Sequence, residues 1–312
     1  MPLTQHSTKG ITGEPLKATS RVGAFMEGVS EGDSPLQLRD IHPKHALLLG
    51  PLIMFKNIRD NKSMLSNFIQ KDIRVRYRNS LLGYIWTVLQ PLLLSGVYYF
   101  LFTILAGNPE ELYPLWVLIG VITWGLFAKS LNGSITSLSS NAGMIKQIYF
   151  PREIFSFTTV GSNVVITALS LAVVIPFIFY YELNPGWQII YIPISFLLIV
   201  MMAWGVGMMF APLNAVHGDV AHLFQFVTKA GFFLSPVMWT ISMVPSSRMD
   251  LIDYLLLNPM VVPLEMMRSG IDGRPLAIDL NWICYSVSFA CISLFIGMIV
   301  FIRYERWGVK YL

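Results

Sequence analysis

The hydrophobic positions of this chain fall in long unbroken blocks, with little alternation of apolar and polar residues. Six blocks approach or exceed the roughly 20 predominantly apolar residues that a helix needs to cross a bilayer: Leu81–Ala106, Tyr113–Leu131, Ile154–Tyr181, Trp187–Leu213, Leu223–Ile241 and Trp282–Ile302. A further apolar piece, "LIDYLLLNPMVVPL" (251–264), is too short to cross and is interrupted by Asn258, Pro259 and Pro263. Broken backbone at membrane depth is tolerated only where protein or a water-filled cavity surrounds it. The piece therefore predicts two short half-helices that dip into the membrane and return; the alternative is a seventh span, which would carry the C-terminus to the other side. The expected fold is all-α integral membrane, with six transmembrane helices, an N-terminal amphipathic interfacial helix and a re-entrant helical pair before the last span.

The polar blocks complete the division of the chain. Residues 1–44 are rich in Gly, Ser, Thr, Pro and charge without periodicity, which predicts a disordered leader. Residues 45–80 predict two interfacial helices, about 52–62 and 64–79. In the second, Leu65, Phe68, Ile69 and Ile73 recur at three- and four-residue spacing, with Lys71, Arg74 and Arg78 largely off that stripe. That is the pattern of a basic amphipathic helix lying in the membrane interface. Asp72 can pair with Arg76 four residues on. Arg76 points away from Arg74 and Arg78, so headgroup anchoring does not account for all three. The span-bearing region is 81–303, and 304–312 forms a tail.

Composition supports this division. Of 312 residues 54% are hydrophobic and 13% charged, about half the charge of an average soluble domain. Lys and Arg are unevenly placed: 12 of 22 precede the first block, Arg303, Arg306 and Lys310 follow the last, and Lys146 and Arg152 sit between the second and third. The positive-inside rule then puts both termini in the cytoplasm, in keeping with an even number of spans. The net charge of +4 is thus a topology signal and gives no argument for nucleic acid. Cys284 and Cys291, seven residues apart on one helix, are too distant to bond each other.

The chain shows little of the chemistry that catalysis needs. It contains no G-x-x-x-x-G-K-[ST] loop, no G-x-S-x-G and no H-E-x-x-H, so no catalytic constellation is expected. His217, Asp219 and His222 are close enough in sequence for a metal site or for ordinary hydrogen bonding. The loop "SLSSNAGMIKQIYFPREIF" (137–155) predicts a short helix outside the membrane, capped by Asn141, apolar at Met144, Ile145 and Ile148, and stopped by Pro151 ahead of Arg152 and Glu153. Such a helix suits either a soluble partner or the lipid surface. Lys129 and Lys229 are charges within spans, a feature that defaults to a functional hypothesis, although a lysine near a span end can snorkel. Gln90 and the aromatic residues Tyr98, Tyr99, Phe102, Trp124 and Phe127 are candidates to line a conduit, since aromatic faces stack on sugar rings.

Four ordered stretches carry a family likeness: "KDIRVRYRNSLLGYIWTVLQPLL" (71–93), "SLSSNAGMIKQIYFPREI" (137–154), "APLNAVHGDVAHLFQF" (211–226), and "FFLSPVMWTISMVP" (232–245) followed by "LLLNPMVVPLEMMRSGIDG" (255–273). Over about residues 50–305 the chain resembles the permease subunit of type 2 ABC exporters, in the branch that exports O-antigen, capsule and teichoic acid polysaccharides. It departs at 217–219, where His-Gly-Asp stands for the usual Tyr-Arg-Asp. The resemblance implies a homodimer around a central channel and a lipid-linked glycan as cargo. It also implies a separate ATPase subunit that carries ATP and Mg, leaving this chain without a cofactor or metal. It assigns Asn141, Ile145, Lys146, Pro151, Arg152, Glu153 and Asp219 to ATPase coupling, and Arg74, Arg76 and Arg78 to the cytoplasmic mouth. Pro236, Asn258 and Pro259 fall at an outer gate. A permease for a smaller lipid, lipo-oligosaccharide or drug is the alternative cargo reading. An integral-membrane transferase using Asp250, Asp253 and Glu265 is the alternative from another class.

Overall fold

The computed structural model describes residues 50–78, 80–106, 110–147, 151–244 and 250–312. The leader 1–44 and Ile148 lie outside the described residues. Among those described, the structure is helix and loop, without strand. Two helices, α1 (Gly50–Asp60) and α2 (Lys62–Arg76), precede the first apolar helix, α3 (Ile85–Ala106). Then come α4 (Tyr113–Ser140), the six-residue α5 (Ala142–Gln147), α6 (Glu153–Ser170) and α7 (Val174–Tyr180). The second half contains α8 (Tyr191–Val216), α9 (Asp219–Leu234), α10 (Asp250–Leu256), α11 (Val261–Asp272) and α12 (Leu280–Val309).

Among the described residues, four helical stretches are long and apolar enough to cross a membrane: Tyr113–Ser140, Glu153–Tyr180, Trp187–Val216 and Leu280–Val309. The other two expected spans are shorter. The described apolar part of α3 is Ile85–Leu101, and α9 has 16 residues. The expected span Leu223–Ile241 ends early because Ser235 precedes Pro236. Its backbone turns extended (φ −91°, ψ 154°), the conformation that a following proline imposes. Conversely, α4 continues nine residues past the expected end at Leu131 through the small polar run to Ser140.

Prolines mark the other irregularities. Between α6 and α7 a 3-10 turn, Leu171–Val173, interrupts the helix. It lies just before Pro176, which has no N–H for the Ala172 carbonyl. In α3, Pro91 likewise leaves the Thr87 carbonyl without its helical donor, and the Ser170 hydroxyl of α6 donates to that oxygen at 2.8 Å. This is how a proline-bearing helix satisfies its backbone away from water.

The bundle is centred on α4. In its apolar window 72% of residues are buried, against 28% for α12, which lies at the periphery. The most extensive helix pair is α8 with α12. Their backbones meet at glycine: a Cβ at Gly297 would stand 2.0 Å from the Gly205 carbonyl oxygen. Such close approach lets helices associate through van der Waals contact where lipid removes the hydrophobic drive between them. On the other flank, α2 lies along α6, with Ile69 against Gly161 and Phe68 6.2 Å from Phe155 between ring centroids.

Candidate functional site

Three regions hold the residues singled out by the sequence. At the end where α4, α8 and α12 terminate, the loop after α4 and the turn before α9 are tied together. The Asn214 amide nitrogen donates to Ser139 Oγ at 3.2 Å, while Asn214 Oδ1 accepts from the Ala221 backbone N–H at 3.0 Å. Asn214 thus caps α9 and joins it to α4, a role the sequence reading did not assign. Its signal was a short polar residue a few positions before a helix start. Asp219 is exposed in the first turn of α9, where a negative charge complements the helix dipole.

Asn141 differs from its expected role. Its amide donates backward, to the Ser137 carbonyl at 2.8 Å, and so closes α4 without capping α5. The last carbonyls of a helix need donors from outside it, while the Met144 and Ile145 N–H groups of α5 are taken up by the Asn141 backbone carbonyl at 3.0 Å. Ile145 is half-buried against a cluster that includes Met54, Leu138 and Phe301, and Lys146 is exposed and donates to the Leu312 backbone oxygen. Half-buried Pro151 separates Arg152 and Glu153 from α5, and both turn inward. Arg152 is 3.6 Å from Glu305, and Glu153, 6% exposed, accepts from Asn57 of α1 at 2.9 Å. Of the seven coupling candidates, Lys146 and Asp219 have exposed side chains. His217 and His222 are exposed, and among the described residues no three His, Cys, Asp or Glu side chains converge.

The three arginines of the mouth separate. Arg74 and Arg78 are exposed. Arg76 is engaged within the chain: its guanidinium bonds Asp72 at 2.9 Å and the Oδ1 of Asn163 at 2.7 Å. Asn163 is buried in α6 and its amide reaches Ser130 of α4 at 3.4 Å. The third arginine therefore serves as a polar tie from α2 through α6 to α4.

The second region is a cavity of about 200 Å³ between α3, α4, α6 and the end of α9. Gln90 and Trp124 line it, with Phe232 and Lys129. Trp124 is only 6% exposed and belongs mainly to the core; Gly231 leaves room for its indole. Tyr98 and Phe127 join this wall through ring contacts, Tyr98 to Phe232 at 5.4 Å and Trp124 to Phe127 at 5.2 Å. Tyr99 faces elsewhere, its ring 6.4 Å from Tyr113. The side chain of Phe102 lies outside the described residues.

The third region is a turn at the opposite end of α4. Here the structure brings Pro236, Asn258 and Pro259 together. The Asn258 amide donates to Ser235 Oγ at 2.7 Å, and the Pro259 carbonyl accepts from Ser286 of α12 at 2.9 Å. The residue that organises the turn is Arg268 of α11, 3% exposed. It donates to the carbonyls of Val237 at 3.0 Å and Trp239 at 3.2 Å, more weakly to that of Trp116 at 3.4 Å, and to Glu265 at 2.6 Å. Gly120 admits the Val237 carbonyl, which would stand 2.4 Å from any Cβ there. Arg268 was legible only as one charge among several on that side; its i,i+3 spacing from Glu265 was the available signal.

Residues 65–271 match the ABC-2 type transporter family. This chain belongs to that family. The match runs from within α2 to nearly the end of α11; α1 and α12, which supply Asn57, Ser286 and Glu305, lie outside it. Among relatives, the O-antigen export system permease protein RfbA of Klebsiella pneumoniae is 29% identical over 203 residues, 64% of this chain and 78% of that protein. The polysialic acid transport protein KpsM of Escherichia coli is 23% identical over 244 residues, 74% and 89% of the two chains. The capsule polysaccharide export inner-membrane protein CtrC of Neisseria meningitidis is 23% identical over 257 residues, 80% and 93%.

Proposed function

We propose that this chain is the membrane-spanning subunit of an ATP-driven exporter that moves a lipid-linked polysaccharide outward across the cytoplasmic membrane. The observation that carries the reading is the likeness, over most of both chains, to permeases named for O-antigen and capsule export. In this reading α3, α4, α6 with α7, α8, α9 and α12 are six spans, and both termini are cytoplasmic. The break between α10 and α11 lies in a re-entrant pair at the outer mouth, and α2 rests in the inner interface with Arg74 and Arg78 toward headgroups. Two copies pair so that the wall formed by Gln90, Tyr98 and Trp124 borders a shared conduit. Hydrolysis belongs to a separate ATPase subunit, which holds ATP and Mg and docks on the end formed by α5 and the start of α9. Exposed Lys146 and Asp219 supply opposite charges for that contact, whereas Glu153 acts from within by fixing α6 to α1.

Co-expression with the separate ATPase, purification in detergent and an ATP hydrolysis assay test the reading. A stable complex is expected, with less ATPase recovered when Lys146→Glu and Asp219→Arg are combined. An ATPase that binds the double variant as well as the natural chain would overturn the docking face; no complex at all would overturn the exporter.

A further inference from the structure

Lys129 is an exposed cation for which the described residues supply no counter-charge. It lies in α4, about 16 Å along the helix from Ser140 at 1.5 Å per residue. It lines the cavity between α3, α4, α6 and α9, and no acidic side chain lines that space. None of the ion pairs among the described residues includes it. A lysine drawn to its own helix carbonyls or to an acid would be accounted for structurally; this one projects into a space lined by Gln90, Trp124, Phe232 and Leu94. A volume of about 200 Å³ equals about seven waters' share of the liquid, room for one small charged group against an apolar wall.

We infer that Lys129, with the Gln90 amide on the α3 wall, is a recognition point for an oxyanion of the transported molecule, a phosphate ester or a sugar carboxylate. The inference rests on the export reading and names which chemical feature of the cargo this chain senses. Lysine supplies up to three donors and a positive charge, the Gln90 amide adds neutral donors, and the apolar wall strengthens their attraction by lowering the local dielectric. The ring contacts of Trp124 and Phe232 would meet the apolar neighbour of the anion, a prenyl chain or a sugar face.

The test uses the purified complex with its ATPase and two sets of probes: farnesyl diphosphate against farnesol, and a uronic-acid oligosaccharide against its neutral counterpart. Lys129→Met removes the charge and keeps the length; Lys129→Arg keeps the charge. For at least one charged probe, Lys129→Met is expected to weaken equilibrium binding about tenfold, the scale of one charge-assisted contact, with Lys129→Arg retaining most of it. The matching neutral probe should be unaffected. Loss confined to farnesyl diphosphate identifies a phosphate, and loss confined to the uronic acid identifies a carboxylate. Equal binding of both charged probes by the natural chain and Lys129→Met would overturn the inference, as would equal loss of the neutral probes. Export of glycan by the natural complex, measured alongside, separates failure of this inference from failure of the export reading.

Discussion

Arg268 and Lys129 place the same sign of charge on apolar helices and are treated in opposite ways: Arg268 is buried, whereas Lys129 is exposed at the edge of a cavity. Around Arg268 the chain converges three backbone carbonyls and a carboxylate, from α4, α11 and the turn after α9. Around Lys129 it offers a cavity without an acidic lining residue. A buried charge is tolerated when it is paired and hydrogen-bonded, so Arg268 is explained by the fold that it braces. Lys129 has no ion-pair partner among the described residues, which is the observation behind the role proposed for it. The contrast sets a charge that braces a turn beside one that is free to meet a ligand.

The most forceful way to break the comparison is Arg268→Met. It leaves Glu265 and the carbonyls of Val237, Trp239 and Trp116 without their donor, and the loss should be about 3–5 kcal/mol, read from equilibrium unfolding in mixed micelles. A loss below about 1 kcal/mol would mean that the turn is held by packing alone. Asn163→Leu cuts the tie between Arg76 and α4 and should cost about 1–3 kcal/mol by the same assay, since a guanidinium loses an acceptor in a half-buried place. Trp116→Phe keeps the ring beneath Arg274 but removes the N–H that Asp272 accepts at 3.1 Å, for about 1 kcal/mol. At the other extreme, Lys129→Met should change stability by no more than about 0.5 kcal/mol, because no partner is stripped. A large loss there would show Lys129 to be structural and would erase the contrast.

Much of the architecture was legible because lipid imposes simple rules. Unbroken apolar length located α3, α4, α6 with α7, α8, α9 and α12, of which four stretches among the described residues are long enough to span, and Asn258 with Pro259 located the break between α10 and α11. The misjudged ends had local causes. Pro236 ended α9 at Leu234, and the run from Asn132 to Ser140 stayed helical because α6 and α8 pack against it. Serine at close approach serves this packing: Ser134 meets Ser156, whose hydroxyl also accepts from the Trp204 indole. The candidate site was less legible. Glu153 reads as a surface charge in its own loop, yet it is buried and its partner Asn57 lies 96 residues away. Arg268 depends on carbonyls up to 152 residues distant, and backbone acceptors carry no sequence signature. Asn141 could serve either the helix before it or the one after it, and local pattern does not choose between them.

The central claim is tested most directly in proteoliposomes containing this chain and its ATPase subunit, with a lipid-linked glycan in the membrane and a lectin reporting its arrival on the outward face. The account predicts lectin signal that requires both subunits and hydrolysable ATP. Glycan that stays in place during ATP turnover, or crosses without the ATPase, would contradict it.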